Sequence, residues 1–204
     1  MKNDDNTETR IKEAAKKLFQ EKGFSATRTR EIAESAGINS ALLNYYFRSK
    51  EKLFHIIMLD SLRDMFSFMG TIINDETTSL CYKIDVVVNK YIDICKDSPN
   101  LPLFIMNQLS VDAGKMIQES GIPPNLISGS YVYKQLQEHL IKQDIHFPAM
   151  HILINLISMS IMPAISRPLI SYLYISDKAS ISEFMEERRR LIPIWIKTII
   201  KLED

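Results

Sequence analysis

The 204-residue sequence predicts an all-α protein, and three observations carry that prediction. Glycine occurs 6 times and proline 8 times, too few for the many tight turns of a strand-rich fold. Apolar residues recur at i, i+3, i+4 and i+7, the spacing of a one-sided helix. No alternating apolar–polar run is bounded by turn residues, and Asp85-Val86-Val87-Val88 is the one ambiguous β-branched stretch. Apolar residues at 46% and charged residues at 25% exclude global disorder. The length suits one large domain or two small ones.

Each element has its own signal. Residues 1–6 are polar and read as disordered. Ile11, Ala14, Ala15, Leu18 and Phe19 form one stripe of a helix over 7–22, and Gly23 stops it after the cation Lys22. Thr27 is a candidate N-cap for a second helix over 28–36. Asn39 or Ser40 can cap a third helix, to about residue 47, and Ser49 a fourth, to about residue 70. The second and third helices, joined through Ala36-Gly37-Ile38-Asn39, match a helix-turn-helix, whose short turn wants a glycine or small residue. Further helices are predicted over about 78–97, stopped by Pro99, and over about 101–115. Pro123-Pro124 opens another to about 143, and Pro148 opens an uncharged helix that Pro163 should bend or break. Apolar character continues over 168–176. Ser180 and Glu183 form a capping box for a last helix reaching about 201.

Several function classes are disfavoured. The six glycines stand singly at 23, 37, 70, 114, 121 and 129, so no glycine-rich phosphate loop is present. Cys81 and Cys95, on one predicted helix, lie about 21 Å apart at 1.5 Å per residue, far beyond disulfide reach. Two unpaired thiols suit a reducing cytoplasm. The start, MKNDDNTETR, has no apolar core of a signal peptide. Residues 145–166 lack any charge and are long enough to span a bilayer. They contain Pro148, His151, Asn155 and Pro163, however, and a helix buried in a core or a subunit interface is the preferred reading. The histidines at 55, 139, 146 and 151 make no HxxxH or HExxH. No catalytic residue, metal ligand set or cofactor is assigned, and no enzymatic activity is expected.

The formal net charge of zero argues at first sight against a nucleic-acid partner. Its distribution argues the other way. Residues 1–52 hold eleven Lys and Arg against eight Asp and Glu, a net of +3, and the remainder is −3. The basic part coincides with the helix-turn-helix and suits phosphates.

Residues 9–54 closely resemble the DNA-binding domain of the tetracycline-repressor (TetR) family of bacterial transcription regulators. The resemblance is carried by Ala14-Ala15, Leu18-Phe19, Glu21-Lys22-Gly23-Phe24, Thr27, Ile32-Ala33, Ala36-Gly37, Tyr45-Tyr46-Phe47 and Ser49-Lys50-Glu51. It implies a DNA-binding domain over 1–52 and a larger helical ligand-binding and dimerisation domain over 53–204. It also implies a cytoplasmic, membrane-free homodimer on a palindromic double-stranded DNA operator, with two recognition helices in successive major grooves. A small, largely apolar effector would release the DNA, repression being the family's common mode.

In the third helix Leu43, Tyr46 and Phe47 form the inward face, leaving Ser40, Ala41, Asn44 and Tyr45 for the groove and Leu42 at its flank. Asn44 can pair bidentately with adenine, and Ala41 and Leu42 can meet thymine methyls. Relatives often have Tyr where this chain has Asn44. Tyr45 reaches a phosphate through its hydroxyl, whereas Tyr46 is either a contact or purely core. Thr27, Arg28, Thr29 and Arg30 crowd a helix N-terminus that favours phosphate, with Asn39 opening the next helix. Lys50, in the first turn of the fourth helix, can share a phosphate with the helix dipole.

In the larger part, ten methionines either line an adaptable pocket or fill the core. The candidate ligand contacts are Met106, Asn107, His151 and Asn155, with His151 also readable as a satisfied core histidine. The candidate dimer contacts are Ile152 and Met159 from the uncharged helix and Phe184, Leu191 and Trp195 from the last one, the alternative being intramolecular core. The rival functional reading is an all-α protein-interaction or DNA-organising protein without a small-molecule inducer; a membrane-attached helical protein is a third.

Overall fold

The computed structural model describes residues 2–173 and 181–203 and, among them, contains ten helices and no strand. In chain order they are α1 (Lys2–Lys22), α2 (Thr29–Ser35), α3 (Ser40–Phe47), α4 (Lys50–Ile73), α5 (Leu80–Asp97), α6 (Leu101–Ser120), α7 (Tyr131–Lys142), α8 (Ala149–Ile165), α9 (Arg167–Leu173) and α10 (Ile181–Ile199). The chain divides into two compact units, one ending at Arg63 and one beginning at Asp64, so the division falls inside α4.

In the first unit the apolar stripe of α1 closes over α2 and α3. Ile11, Ala15, Ile32, Ala33, Leu43 and Phe47 are almost wholly buried. Phe19 meets Phe54 edge-on at 5.2 Å, and Phe24 packs on Phe54 at 4.7 Å, offset geometries that add to the area buried. The α2–α3 turn depends on Gly37 at φ +65°, a left-handed conformation that disfavours a Cβ. A Cβ there would also meet Arg10 Nη2 at 3.1 Å. That guanidinium, from α1, donates to the carbonyls of Ala36 and Gly37. α1 begins at Lys2, upstream of the predicted start, because no proline or glycine interrupts the pattern there.

In the second unit α10 packs against α5 and α8, and α8 against α5, α6 and α7. An ionic network fastens α10 to α5. Arg189 donates to Glu186 Oε2 (2.8 Å), Asp93 Oδ1 (2.6 Å) and the Asn89 carbonyl (3.1 Å). Lys96 meets Glu186 at 2.6 Å, and Lys197 meets Asp85 at 3.2 Å. The hydrogen bonds from Lys96 and then Arg189 pull the Glu186 carboxyl down to about 2.

Three predicted boundaries shift. α7 starts at Tyr131 rather than after Pro124, because the Ser130 hydroxyl caps it by accepting the Tyr133 N–H at 3.3 Å. α6 runs on to Ser120 through a break at Asp112 (φ −159°). α8 continues past Pro163 and bends by 72° into α9. Proline has no N–H, so Pro163 leaves the Met159 carbonyl without its helical donor. Arg188 of α10 supplies two instead, at 3.1 and 2.8 Å. Ser180, predicted to cap the last helix, lies outside the described residues. Cys81 and Cys95 both lie on α5 and form no disulfide, and burial pushes the Cys95 thiol up to about 12. Among the described residues no single helix is long and apolar enough to cross a membrane.

Because its folded pKa is depressed, Glu186 contributes stability that is present above its ordinary value of 4.5 and is lost as pH falls toward about 2. Glu186→Gln should therefore flatten the pH dependence of the urea midpoint over that window, relative to the parent. Parallel curves for the two proteins would contradict the assignment.

Candidate nucleic-acid interface and ligand cavity

The helix-turn-helix presents α3 as a helix with one bare face. Asn39 caps it, its Oδ1 accepting the Leu42 N–H at 2.8 Å. Leu43 and Phe47 face inward, while Ser40, Ala41, Asn44 and Tyr45 are exposed, Tyr45 at 80%. Leu42 stands at the edge of that face. Tyr46 is half-buried, its ring edge-on to Tyr45 at 5.6 Å, so it serves as a wall of the exposed face. These residues form a surface of hydroxyl, methyl, amide and phenol groups on a single helix, suited to base edges and thymine methyls.

Cations flank the face. Arg28 is exposed at the N-cap of α2, and its backbone N–H is held by Glu31 at 2.9 Å. Lys22 fixes the same carboxylate at 2.7 Å, and that hydrogen bond with the Arg28 amide holds Glu31 below its ordinary range. Thr29 is half-exposed in the first turn. Arg30 points to solvent with Glu34 alongside at 2.8 Å. Arg48, not singled out from the sequence, ends α3 at φ +59° with an exposed side chain. Its place at the α3 terminus follows from the chain, whereas the exposure of its side chain is a product of the fold.

Two predicted contacts are corrected. Thr27 is 1% exposed and does not cap α2; Arg28 occupies that position. The Thr27 hydroxyl lies 2.8 Å from the Gly23 carbonyl and 3.2 Å from that of Leu18, tying the loop back onto α1. Lys50 turns inward. Its ammonium donates to the carbonyls of Phe24 and Thr27, both at 2.9 Å, and sits 4.3 Å from the Phe24 ring centroid. The loop between α1 and α2 turns its carbonyls toward the start of α4, and the ammonium is engaged there.

The second unit holds a partly open, almost wholly apolar pocket. Its walls are Phe66, Met69 and Ile73 of α4, Leu80, Ile84 and Tyr91 of α5, Leu126 and Ile127 of the connection before α7, Leu136 of α7, and Ile152, Leu153 and Leu156 of α8. Lys83 and Ser130 join this apolar lining, and burial pushes the Tyr91 phenol up to about 12.

None of the four predicted ligand contacts lines the cavity. Met106 and Asn107 lie on the exposed side of α6, and His151 and Asn155 on the exposed side of α8. Ile152, predicted for the dimer contact, is 1% exposed and lines the cavity instead. The polar residues of α8 face outward because its apolar positions already fill the inward stripe, a phase that lack of charge on the helix concealed. Met159 and Phe184 are half-buried, whereas Leu191 and Trp195 are exposed on α10. The Arg188 guanidinium stacks near the Phe184 and Trp195 rings, at 5.8 and 5.4 Å.

Residues 11–57 match the family model described as bacterial regulatory proteins, tetR family. Across 98% of this chain and 96% of the relative, the sequence is 27% identical to the probable HTH-type transcriptional regulator YttP of Bacillus subtilis. Over 50 residues, 24% of each chain, it is 44% identical to the HTH-type transcriptional repressor NicS of Pseudomonas putida. The fold is shared with a TetR transcription regulator from Haloarcula marismortui, at a TM-score of 0.65 and 16% identity, over 95% of this chain and 98% of that one. The chain is therefore similar, over residues 11–57, to the tetR family of bacterial regulatory proteins and, along nearly its whole length, to a probable helix-turn-helix transcriptional regulator.

Proposed function

We propose that the protein is a repressor that binds a palindromic operator as a homodimer and leaves it when a small, largely apolar ligand fills the cavity of the second unit. In functional terms the DNA-binding part spans 1–52 and the ligand-binding and dimerising part 53–204. The observation that carries the DNA reading is the bare face of α3, where Ser40, Ala41, Asn44 and Tyr45 stand exposed, with Arg48 exposed at its end and Arg28 and Arg30 exposed at the start of α2, which packs on α3. α3 supplies base contacts and the flanking arginines supply phosphate contacts. Lys50 holds the loop that positions α2.

Dimerisation is supported by the outer face of α8 and α10. Ile154, Met162, Ile194 and Ile199 are 42% to 57% exposed there, with Leu191 and Trp195 adjoining. Exposed apolar side chains of this composition on two neighbouring helices are costly to leave in water, and a second copy covers them. Repression then follows from occupancy of the operator, and ligand release from the different affinities of two conformations for DNA.

Selection from a random DNA pool should return a palindrome, and a set lacking two-fold symmetry would overturn the operator reading. Asn44→Ala should change which bases are preferred. Arg48→Ala should weaken operator and random DNA alike and flatten the salt slope by about one. Lys50→Met should instead leave the salt slope unchanged and destabilise the fold by roughly 1–3 kcal/mol, since two carbonyls lose their donor; a slope reduced by one with unaltered stability would restore Lys50 to the DNA surface. Ile194→Glu should convert the dimer to a monomer in light scattering and weaken operator binding, and a dimer that persists would place the interface elsewhere.

A further inference from the structure

The cavity of the second unit contains one feature that an apolar ligand alone does not explain. Lys83 is 0% exposed and sits in its wall. Its ammonium donates to the Asp75 carbonyl (2.6 Å), the Thr78 carbonyl (2.9 Å) and Gln135 Oε1 (2.9 Å), and lies 5.0 Å from the Tyr131 ring centroid. Every acceptor is neutral. Asp75 contributes its backbone; its carboxylate is engaged by the N–H and hydroxyl of Thr77, at 2.8 and 2.6 Å. No carboxylate lies within ion-pair distance of Lys83 among the described residues.

A buried cation whose hydrogen bonds all go to neutral acceptors, with the Asp75 carboxylate acting on it only from beyond contact distance, is expensive. Desolvation accordingly pushes the Lys83 ammonium below its ordinary range. The cost is hard to reconcile with a purely structural clasp, which a neutral donor would serve. A hydrocarbon entering the cavity would add to that cost by expelling water, whereas an anion would offset it. The N-terminus of α7, capped by Ser130 in the same cavity wall, adds a positive dipole end near the same part of the pocket.

We propose that the cavity binds a single-chain apolar carboxylate, its chain against the aliphatic walls and its headgroup drawn to the Lys83 ammonium in place of the Gln135 amide oxygen. The proposal rests on the reading of this cavity as the effector site and specifies the class of effector. Gln135 is the partner that can yield, because it is a side chain, whereas the Asp75 and Thr78 carbonyls are backbone.

The experiment compares decanoate with decanol on the full-length protein by calorimetry. Decanoate should bind roughly tenfold more tightly, the worth of one charge-assisted hydrogen bond. Lys83→Met should bring decanoate down to the level of decanol. Gln135→Glu, which keeps the side chain's shape and supplies an internal counter-charge, should do the same; it provides the test should Lys83→Met fail to fold. Leu153→Trp, which fills the cavity, should weaken both probes. Equal affinities for the two probes, a decanoate preference that survives in Gln135→Glu, or binding that Leu153→Trp leaves intact would each overturn the assignment. Release of the selected operator is measured in parallel. Lys83-dependent binding without release would sink the effector reading alone, and release by decanol as readily as by decanoate would sink the headgroup assignment alone.

Discussion

Helix breaks leave backbone carbonyls without donors, and in this protein four of them are closed in the same way, by a Lys or Arg reaching in from another part of the chain. Arg10 holds the Ala36 and Gly37 carbonyls of the helix-turn-helix, and Lys50 holds those of Phe24 and Thr27. Lys83 holds Asp75 and Thr78, and Arg188 holds Met159 opposite Pro163. An all-α chain of many short connections needs such closures, because a buried carbonyl without a partner costs as much as a lost hydrogen bond. The first two tie the α2–α3 turn to α1 and the α1–α2 loop to the start of α4, beside the apolar core that packs the same helices.

The same device accounts for the distribution of charge. The first 52 residues carry a net of +3, but Arg10 and Lys50 face carbonyls, Lys22 and Lys12 face carboxylates, and Arg30 is shared with Glu34. The cations left beside α3 are few, and Arg28 and Arg48 are prominent among them. On the proposed function, phosphate attraction at this surface would depend on a small number of arginines rather than on the summed charge. In the second unit Lys83 has the clasp geometry of the others, yet it lies in the wall of an apolar cavity, and its hydrogen bonds all go to neutral acceptors.

Much of the fold was legible because helices announce themselves locally. Stripes such as Ile11, Ala15 and Phe19, stops such as Gly23, and caps such as Asn39 and Ser49 all act within a few residues. The division of α3 into an inward and an outward face followed from the same periodicity. The cavity was not legible. Its walls come from α4, α5, α7 and α8, and no local rule states which polar residue of an uncharged helix faces in. His151 and Asn155 look conspicuous among apolar neighbours, but they are conspicuous because they face water.

The sequence by itself determined the all-α class, the helix-turn-helix, the family resemblance and the split of charge, since each of these depends on spacing and composition within a short window. Only the tertiary structure decided which cations hold the fold and which remain for a partner. Lys50 and Arg48 stand two residues apart at the same helix junction, one clasping two carbonyls and the other in solvent. The difference arises from where the loop between α1 and α2 turns its carbonyls, a relation between segments 23 residues apart or more that no local pattern encodes.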